Sequence, residues 1–275
     1  MANAPKPTTA KKENSGGSSI FAGLAIVFCI AIAWVLYIFV MGNGSNFEGG
    51  DNANHPLPGN YFGMVYKGGA IVPFLMGMFL MVIVFSIERF FVISKAAGNG
   101  NVDAFVKKVQ QYLATNNIES AISECDKQKG SVAAVIKSGL LKYKEVEIDT
   151  VMNTEQKCLA IQKDIEEATS LEMPMLEQNL TVIATLVSVG TLAGLLGTVV
   201  GMIKAFGALA TSGAPDQAAL ANGISEALIN TATGIGTSTM AIIAYNFFTS
   251  KIDSLTYSID ESGFSIVQTY ASTHK

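Results

Sequence analysis

Four long apolar stretches, separated by polar sequence, dominate the pattern of this chain. Each is at least about as long as the ~20 residues that an α-helix needs to cross the hydrocarbon core of a bilayer. One substantial polar segment between them has helical periodicity. The pattern therefore predicts an all-α integral membrane protein with four transmembrane helices, at residues 20–41, 70–94, 179–210 and 219–249.

Segment 95–178 is predicted to form a helical domain, because apolar residues recur there at helical spacing between charged positions. Glycine-containing segments at 98–100 and 129–131 are the expected breaks between its helices. Residues 148–178 have the pattern of a long amphipathic helix that leads directly into the third span, and Pro174 is expected to kink or restart it. The periodicity is clearest at Val102, Phe105, Val106, Val109 and Leu113.

The other segments are polar and short of apolar residues. We predict a disordered tail over 1–19, which is rich in Pro, Lys, Ser and Gly. A loop over 42–69, a short loop over 211–218 and a tail over 250–275 complete the chain. The first apolar stretch has a second interpretation, the hydrophobic region of a signal peptide. We favour an uncleaved span, because the stretch exceeds the usual ~7–15 residues and no Ala-x-Ala-like site follows it.

Lysines are distributed unevenly between the two sides of the predicted spans. Three precede the first span and most of the others lie in 95–178, whereas the loop 42–69 contains only Lys67. By the positive-inside rule, both termini and the helical domain are expected in the cytoplasm and the two other loops outside. Four spans give the parity that this orientation requires.

Composition agrees with a membrane location and excludes several functions. The chain is 49% hydrophobic and 15% charged, with a mean hydropathy of +0.38, whereas soluble proteins contain roughly 25% charged residues. The net charge is −4 and there is no basic patch, so no nucleic-acid partner is expected. The cysteines and histidines form no metal-ligand spacing, and we predict neither a zinc site, nor a disulfide, nor any cofactor other than protons.

The last predicted span carries polar residues where a membrane helix is normally apolar. Glu226 is its only carboxylate, and an ionisable side chain inside a bilayer costs at least ~2.5 kcal/mol on insertion scales, so such a residue usually has a function. When each residue is placed at 100° around the helix axis from the one before it, Glu226 and the other polar residues fall on two lines along the helix. Interhelical hydrogen bonding without ion flow remains an alternative for the threonines. One line contains Asn222, Glu226, Asn230, Thr233 and Thr237, and the other contains Thr231 and Ser238.

Lys204 is a second charge inside the membrane, on the third predicted span. If that span runs outward and the fourth returns inward, Lys204 and Glu226 lie at similar depths. We therefore hypothesise an ion pair or a water-bridged contact, within one subunit or between neighbours. The alternative is that Lys204 extends its ammonium group to the outer interface.

Small residues recur every fourth position along the third span, on a side different from the one that carries Thr198. This spacing lets helix backbones approach closely. A phosphate-binding role would instead need a strand and an exposed loop, and neither is predicted here. We therefore assign helix packing to Gly190, Gly194, Gly197 and Gly201.

Three stretches resemble the MotA/TolQ/ExbB proton channel family, and most closely its ExbB branch. They are GLLGTVVGMIKAF at 194–206, GISEALINTATGI at 223–235 and YNFF at 245–248, and a short ERF sequence at 88–90 is also similar. The order of spans around a large cytoplasmic insert matches the plan of the family. Three features depart from it: an extra first span, Thr191 and Met240 where the family commonly has prolines.

The resemblance implies an inner-membrane motor subunit that is not an enzyme. Five copies would surround two helices of an ExbD-like single-span partner, whose membrane aspartate carries protons, and a TonB-like protein would transmit the work to outer-membrane import. Thr198 and Thr231 would line the pore, and Glu226 would serve as a polar support, a proton-path residue or a subunit contact; we also place Ser238 on the path. A TolQ-like or gliding-type motor and a non-conducting membrane scaffold are the alternatives, with membrane lipid as the surroundings in each case.

Overall fold

The computed structural model describes residues 15–211 and 217–274. This part of the chain is almost entirely helical and contains no β-strand, only an isolated bridge between Phe47 and Pro56. Residues 1–14 of the predicted disordered tail and 212–216 of the predicted second loop lie outside the described residues. The helices are α1 Ser15–Val35, with a π-helical extension Leu36–Met41, α2 Tyr61–Tyr66, α3 Val72–Ala97, α4 Val102–Ala114, α5 Ile118–Gln128, α6 Gly130–Ile148, α7 Thr154–Glu177, α8 Leu180–Thr211 and α9 Gln217–Thr273.

Four of the described helical segments are long and apolar enough to cross a membrane: α1 with its π-helical extension, α3, α8 and α9. The prediction of an all-α membrane protein is therefore confirmed. The first helix begins at Ser15, so the last part of the predicted tail, 15–19, belongs to α1. The chain divides into two compact units, one formed by residues up to 84 and 186–240, the other by 85–185 and 241–275.

In the first unit α1 packs against α3 through small residues. A Cβ atom added at Gly77 would lie 3.2 Å from the Cα atom of Ile30, so glycine permits this approach. Ala33 of α1 is fully buried, and Trp34 packs edge-on against Phe74 with ring centroids 5.7 Å apart. The first span is thus an integrated helix of this unit.

The loop 42–69 is structured, although few of its residues are apolar. It contains two 3-10 turns, Gly44–Asn46 and Glu48–Gly50, and the short helix α2. Asn46 is buried and donates hydrogen bonds to the carbonyl groups of Val40 and Met41, 2.7 and 3.0 Å away. Side-chain and backbone hydrogen bonds, which hydropathy does not reveal, therefore order this loop.

In the second unit, α4, α5, α6 and α7 pack pairwise in sequence. The breaks between helices fall at 98–100 and near Lys129, as predicted, and Gly98, Lys129 and Gly130 have positive φ angles there. Asparagine side chains cap the starts of several helices, satisfying backbone N–H groups that have no partner within the helix. These caps are Asn101 for α4, Asn117 for α5 and Asn153 for α7, the last in a capping box with Gln156.

The predicted tail 250–275 is instead the continuation of α9, which is helical to Thr273. Its apolar side chains recur at helical spacing, and Ile259, Ile266 and Tyr270 are buried. Tyr270 packs edge-on against Tyr143 of α6, with ring centroids 4.7 Å apart. The prediction of a short tail was wrong, because the apolar residues that pack are separated by polar residues along 250–275 and do not form a continuous apolar stretch.

The helix predicted over 148–178 ends before the third span, and Pro174 lies inside α7 without ending it. The break comes at Asn179, whose φ of 62° is incompatible with a continuing helix. The buried Arg89 guanidinium donates to the carbonyl groups of Met175 and Leu176, each 3.1 Å away, and also pairs with Glu88. Arg89 thus satisfies carbonyl groups that the end of α7 leaves open.

We predict that the free energy of unfolding depends on Glu124 in a pH-dependent manner. Its carboxylate accepts hydrogen bonds from Lys108 at 2.8 Å and Lys127 at 3.1 Å, and these bonds hold the pKa of Glu124 below its usual value. A carboxyl group with a lower pKa in the folded state stabilises the fold above its unfolded pKa, and that contribution is lost as the pH falls through the folded pKa. Glu124→Gln should therefore cost about 0.5–1 kcal/mol at neutral pH and little at about pH 3.

Thermal or denaturant unfolding of the full chain at both pH values measures this difference. Glu145→Gln is the matched control, because Glu145 is exposed and pairs, among the described residues, with Lys142 three residues away. An equal loss for Glu124→Gln at both pH values would contradict the prediction.

Candidate functional site

The site is built on a close contact between α8 and α9. A Cβ atom added at Gly234 would lie 2.6 Å from the Gly190 carbonyl oxygen and 2.7 Å from the Gly194 Cα atom. At the next turns of α8, a Cβ at Gly201 would lie 2.9 Å from the backbone of Ala227. Only glycine allows backbones to approach so closely. All four glycines to which packing was assigned lie against α9: Gly190, Gly194, Gly197 and Gly201.

Two pairs of hydroxyl groups cross this contact. The Thr198 and Thr231 hydroxyls are hydrogen-bonded to each other, and the Thr191 hydroxyl donates to that of Ser238 at 2.8 Å. The two pairs are seven residues apart on each helix, which corresponds to two helical turns or ~10 Å. The Thr191 contact was not predicted, and it connects Ser238 to the same interface as Thr231.

Lys204 and Glu226 form an ion pair across the same two helices, with the Lys204 Nζ atom 2.5 Å from the Glu226 Oε1 atom. The Lys204 side chain is 55% exposed in the single chain and that of Glu226 is 13% exposed. The hypothesis of a contact within one subunit therefore agrees with the geometry. Along α8 the polar contacts with α9 thus follow one another as Thr191–Ser238, Thr198–Thr231 and Lys204–Glu226, which we call the polar ladder.

The division of α9 into two polar lines holds only in part. Glu226 belongs to one predicted line and Thr231 to the other, yet both contact α8. The Lys204 and Glu226 side chains are long and flexible, so they can meet even though Glu226 and Thr231 lie at different angles around α9. The angular position of a residue on the helix was therefore not sufficient to predict which residues contact α8.

The remaining members of the first line have other partners. Asn230 is fully buried and donates from Nδ2 to the Gly68 carbonyl oxygen at 2.9 Å, while its Oδ1 atom has no hydrogen-bond partner among the described residues. Thr233 and Thr237 donate to carbonyl groups of the preceding turn, at 2.8 and 2.9 Å. These threonines are satisfied within their own helix, and Asn222 is exposed.

The contact of Gly68 and Gly69 with α9 was missed by sequence reasoning. Gly69 has a φ of 79°, and a Cβ atom there would lie 2.9 Å from the Glu226 Cδ atom. Two adjacent glycines directly before a predicted span were the available signal, since such a pair permits a tight turn and a close backbone approach.

The chemistry available to the polar ladder is proton and hydrogen-bond exchange. A hydroxyl group both donates and accepts, so a threonine pair can pass a hydrogen-bonded proton without carrying a charge of its own. In the described part of the chain, no group of three or more His, Cys, Asp or Glu side chains is arranged to hold a metal ion.

Comparison with known proteins places this geometry in a family. The model of the MotA/TolQ/ExbB proton channel family matches residues 127–261, which contain the whole polar ladder. The Tol-Pal system protein TolQ of Pseudomonas aeruginosa is 30% identical over 56% of this chain and 67% of its own length. The chain belongs to the MotA/TolQ/ExbB proton channel family. Within it, the similarity to ExbB and TolQ proteins indicates a motor subunit of the ExbB/TolQ type.

Relatives that carry the ExbB name are matched over different lengths. The putative biopolymer transport protein ExbB-like 3 of Synechocystis is 34% identical over 31% of this chain and 42% of its own length. The biopolymer transport protein ExbB of Neisseria meningitidis is 25% identical over 72% of this chain and 91% of its own length. The chain therefore spans less than half of one ExbB-like relative and most of another.

We predict that Gly234→Ala destabilises the protein while Gly236→Ala does not. An added methyl group at Gly234 would overlap the backbone of α8, and overpacking of this kind costs about 1–3 kcal/mol. At Gly236 it would meet no atom within 4 Å, and alanine favours helix more than glycine does. Thermal unfolding of the two purified variants provides the test, and equal midpoints would show that the glycine contact is not tight.

We also predict that Lys204 and Glu226 are energetically coupled. In a double-mutant cycle of Lys204→Met and Glu226→Gln, the coupling energy should be about 1–2 kcal/mol, because removing one partner leaves the other charge unpaired in the membrane. The matched control is the Lys137–Asp126 pair, which has the same 2.5 Å separation but lies in the helical domain, with Asp126 59% exposed. Additive effects at Lys204 and Glu226 would contradict the ion pair.

Proposed function

We propose that this chain is the proton-channel motor subunit of an ExbB–ExbD–TonB-like complex in the inner membrane. It would convert proton motive force into work for energised import at the outer membrane. The observation that carries the proposal is the hydrogen-bonded Thr198–Thr231 pair, which brings together the two stretches of sequence that most resemble the family. The pair offers a neutral surface of hydroxyl groups at the close contact between α8 and α9.

The assembly that we propose has five copies of this chain around two helices of an ExbD-like single-span protein. The polar ladder contains one carboxylate, Glu226, and that carboxylate is ion-paired with Lys204. A group that binds and releases protons is therefore expected on the partner helices, next to the threonine hydroxyls. A TonB-like protein would then carry the work out of the membrane, with both termini of this chain in the cytoplasm.

A TolQ-type motor is the second candidate, favoured by the 30% identity to the TolQ of Pseudomonas aeruginosa. The two functions share the proton path and differ in the protein that receives the work. Deletion of the gene separates them: loss of energised uptake supports the ExbB-type function, whereas a leaky outer membrane with normal uptake supports the TolQ-type function.

We predict that Thr198→Val or Thr231→Val lowers proton flux through the reconstituted complex by about tenfold, equivalent to ~1.4 kcal/mol on the barrier. Valine keeps the shape of the side chain and removes only the hydroxyl group. Thr198→Ser and Thr231→Ser retain that group and should keep most of the flux. Proton uptake into liposomes, followed with a pH-sensitive dye under an imposed potential, measures the effect.

Thr239→Val is the matched control on α9, because Thr239 is exposed and its hydroxyl donates to the Ile235 carbonyl group of its own helix. Its flux should equal that of the unmodified protein. If the complex assembles and the valine variants at 198 and 231 also conduct normally, the two hydroxyl groups do not take part in the proton path and the proposal is wrong.

A further inference from the structure

The added first span ends beside the candidate site, and one of its residues binds the loop that follows it. Tyr37, in the π-helical end of this span, is buried, and its hydroxyl group donates to the Tyr66 carbonyl oxygen at 2.7 Å. Its ring stacks on that of Tyr66, with centroids 4.8 Å apart and an angle of 25° between the planes. One residue of the first span thus contacts both the backbone and the side chain of Tyr66.

Other contacts fix the same segment. Lys67 donates to the carbonyl groups of Asn52 and Ala53, at 3.0 and 2.9 Å, and the Phe47 ring packs edge-on against Tyr66. Residues of the loop therefore hold Tyr66 and Lys67 in place, and Tyr37 of the first span also holds Tyr66.

The two glycines that come next contact α9 at the polar ladder. The Gly68 carbonyl oxygen accepts the hydrogen bond from the buried Asn230, and Gly69 lies against the Glu226 carboxyl group. Glu226 consequently has Lys204 on one side and a glycine backbone on the other. Of the carboxylate and its lysine partner, only the lysine is substantially exposed.

We propose that Tyr37 is a positioning residue for Glu226: by holding Tyr66, it keeps the Gly68–Gly69 turn over the carboxylate and directs Glu226 toward Lys204. The proposal extends the proposed function, because it gives the added span a role at the proton path. Tyr37 contacts Tyr66, so its effect on the position of Glu226 is transmitted through the turn.

The test measures access to position 226 directly, without relying on proton flux. Glu226→Cys is introduced as a reporter into a chain whose native Cys29, Cys125 and Cys158 are replaced by alanine. Labelling of the reporter by a hydrophilic thiol reagent is then timed in the assembled complex. Tyr37→Phe keeps the aromatic ring and removes only the hydroxyl group, and should accelerate labelling about threefold to tenfold, the factor expected for the loss of one hydrogen bond.

Tyr61→Phe is the matched control, because Tyr61 lies in the same loop and is 77% exposed; it should leave the labelling rate unchanged. A second reporter, Thr239→Cys, should react at the same rate with or without Tyr37→Phe, which shows that the effect is local. Gly69→Ala strains the turn without altering the first span, because residue 69 has a φ of 79°, which alanine adopts poorly, and it should also accelerate labelling at 226.

If Tyr37→Phe labels at the unmodified rate while Gly69→Ala labels faster, the turn covers Glu226 but Tyr37 does not hold it, and the proposal is wrong. Equal acceleration at positions 226 and 239 would also overturn it, because the variant would then loosen the whole helix pair. A complex that carries no protons would refute the proposed function instead, and the labelling rates would still decide this inference.

Discussion

The close approach of α8 and α9 at their glycines is the constraint on which the candidate site depends. With Gly190, Gly194 and Gly234 in backbone contact, side chains on either flank of the contact meet across a narrow gap. Short hydroxyl side chains can then bond across the interface, as Thr198 and Thr231 do. A larger residue at one of these glycines would separate the helices. It would thereby break the hydroxyl contacts even though every polar side chain was still present.

The same contact explains why polar residues are tolerated in two membrane spans. An unpaired hydroxyl group or charge in lipid is costly, whereas in each pair of the polar ladder the two side chains satisfy each other. Thr233 and Thr237, which lie outside the ladder, bond to carbonyl groups of their own helix, so they add polarity without needing a partner on another helix. The buried Oδ1 atom of Asn230 has no hydrogen-bond partner in the described part of the chain, as is also true of the buried hydroxyl oxygens of Ser86, Thr249 and Tyr270, and it lies beside the turn at Gly68 and Gly69.

Those parts of the structure that depend on long sequence patterns could be predicted. The four spans, the breaks at 98–100 and 129–131, and a pairing between Lys204 and Glu226 all followed from hydropathy, glycine positions and charge. The break between α7 and α8 at Asn179 could not be predicted, because it depends on a positive φ angle and on the distant Arg89 rather than on Pro174. Hydropathy also gave no indication that the loop 42–69 is held by Asn46, or that α9 continues beyond 250.

The chain belongs to the MotA/TolQ/ExbB proton channel family, and we propose that the polar ladder is the part of the chain that takes part in the proton path. The central claim is that the chain works around a partner that carries the protonatable group. Native mass measurement of the complex, purified with its membrane neighbours, tests this claim most directly. We predict five copies of this chain with two copies of a single-span protein that has a carboxylate in its membrane helix. A different stoichiometry, or the absence of such a partner, would contradict the account.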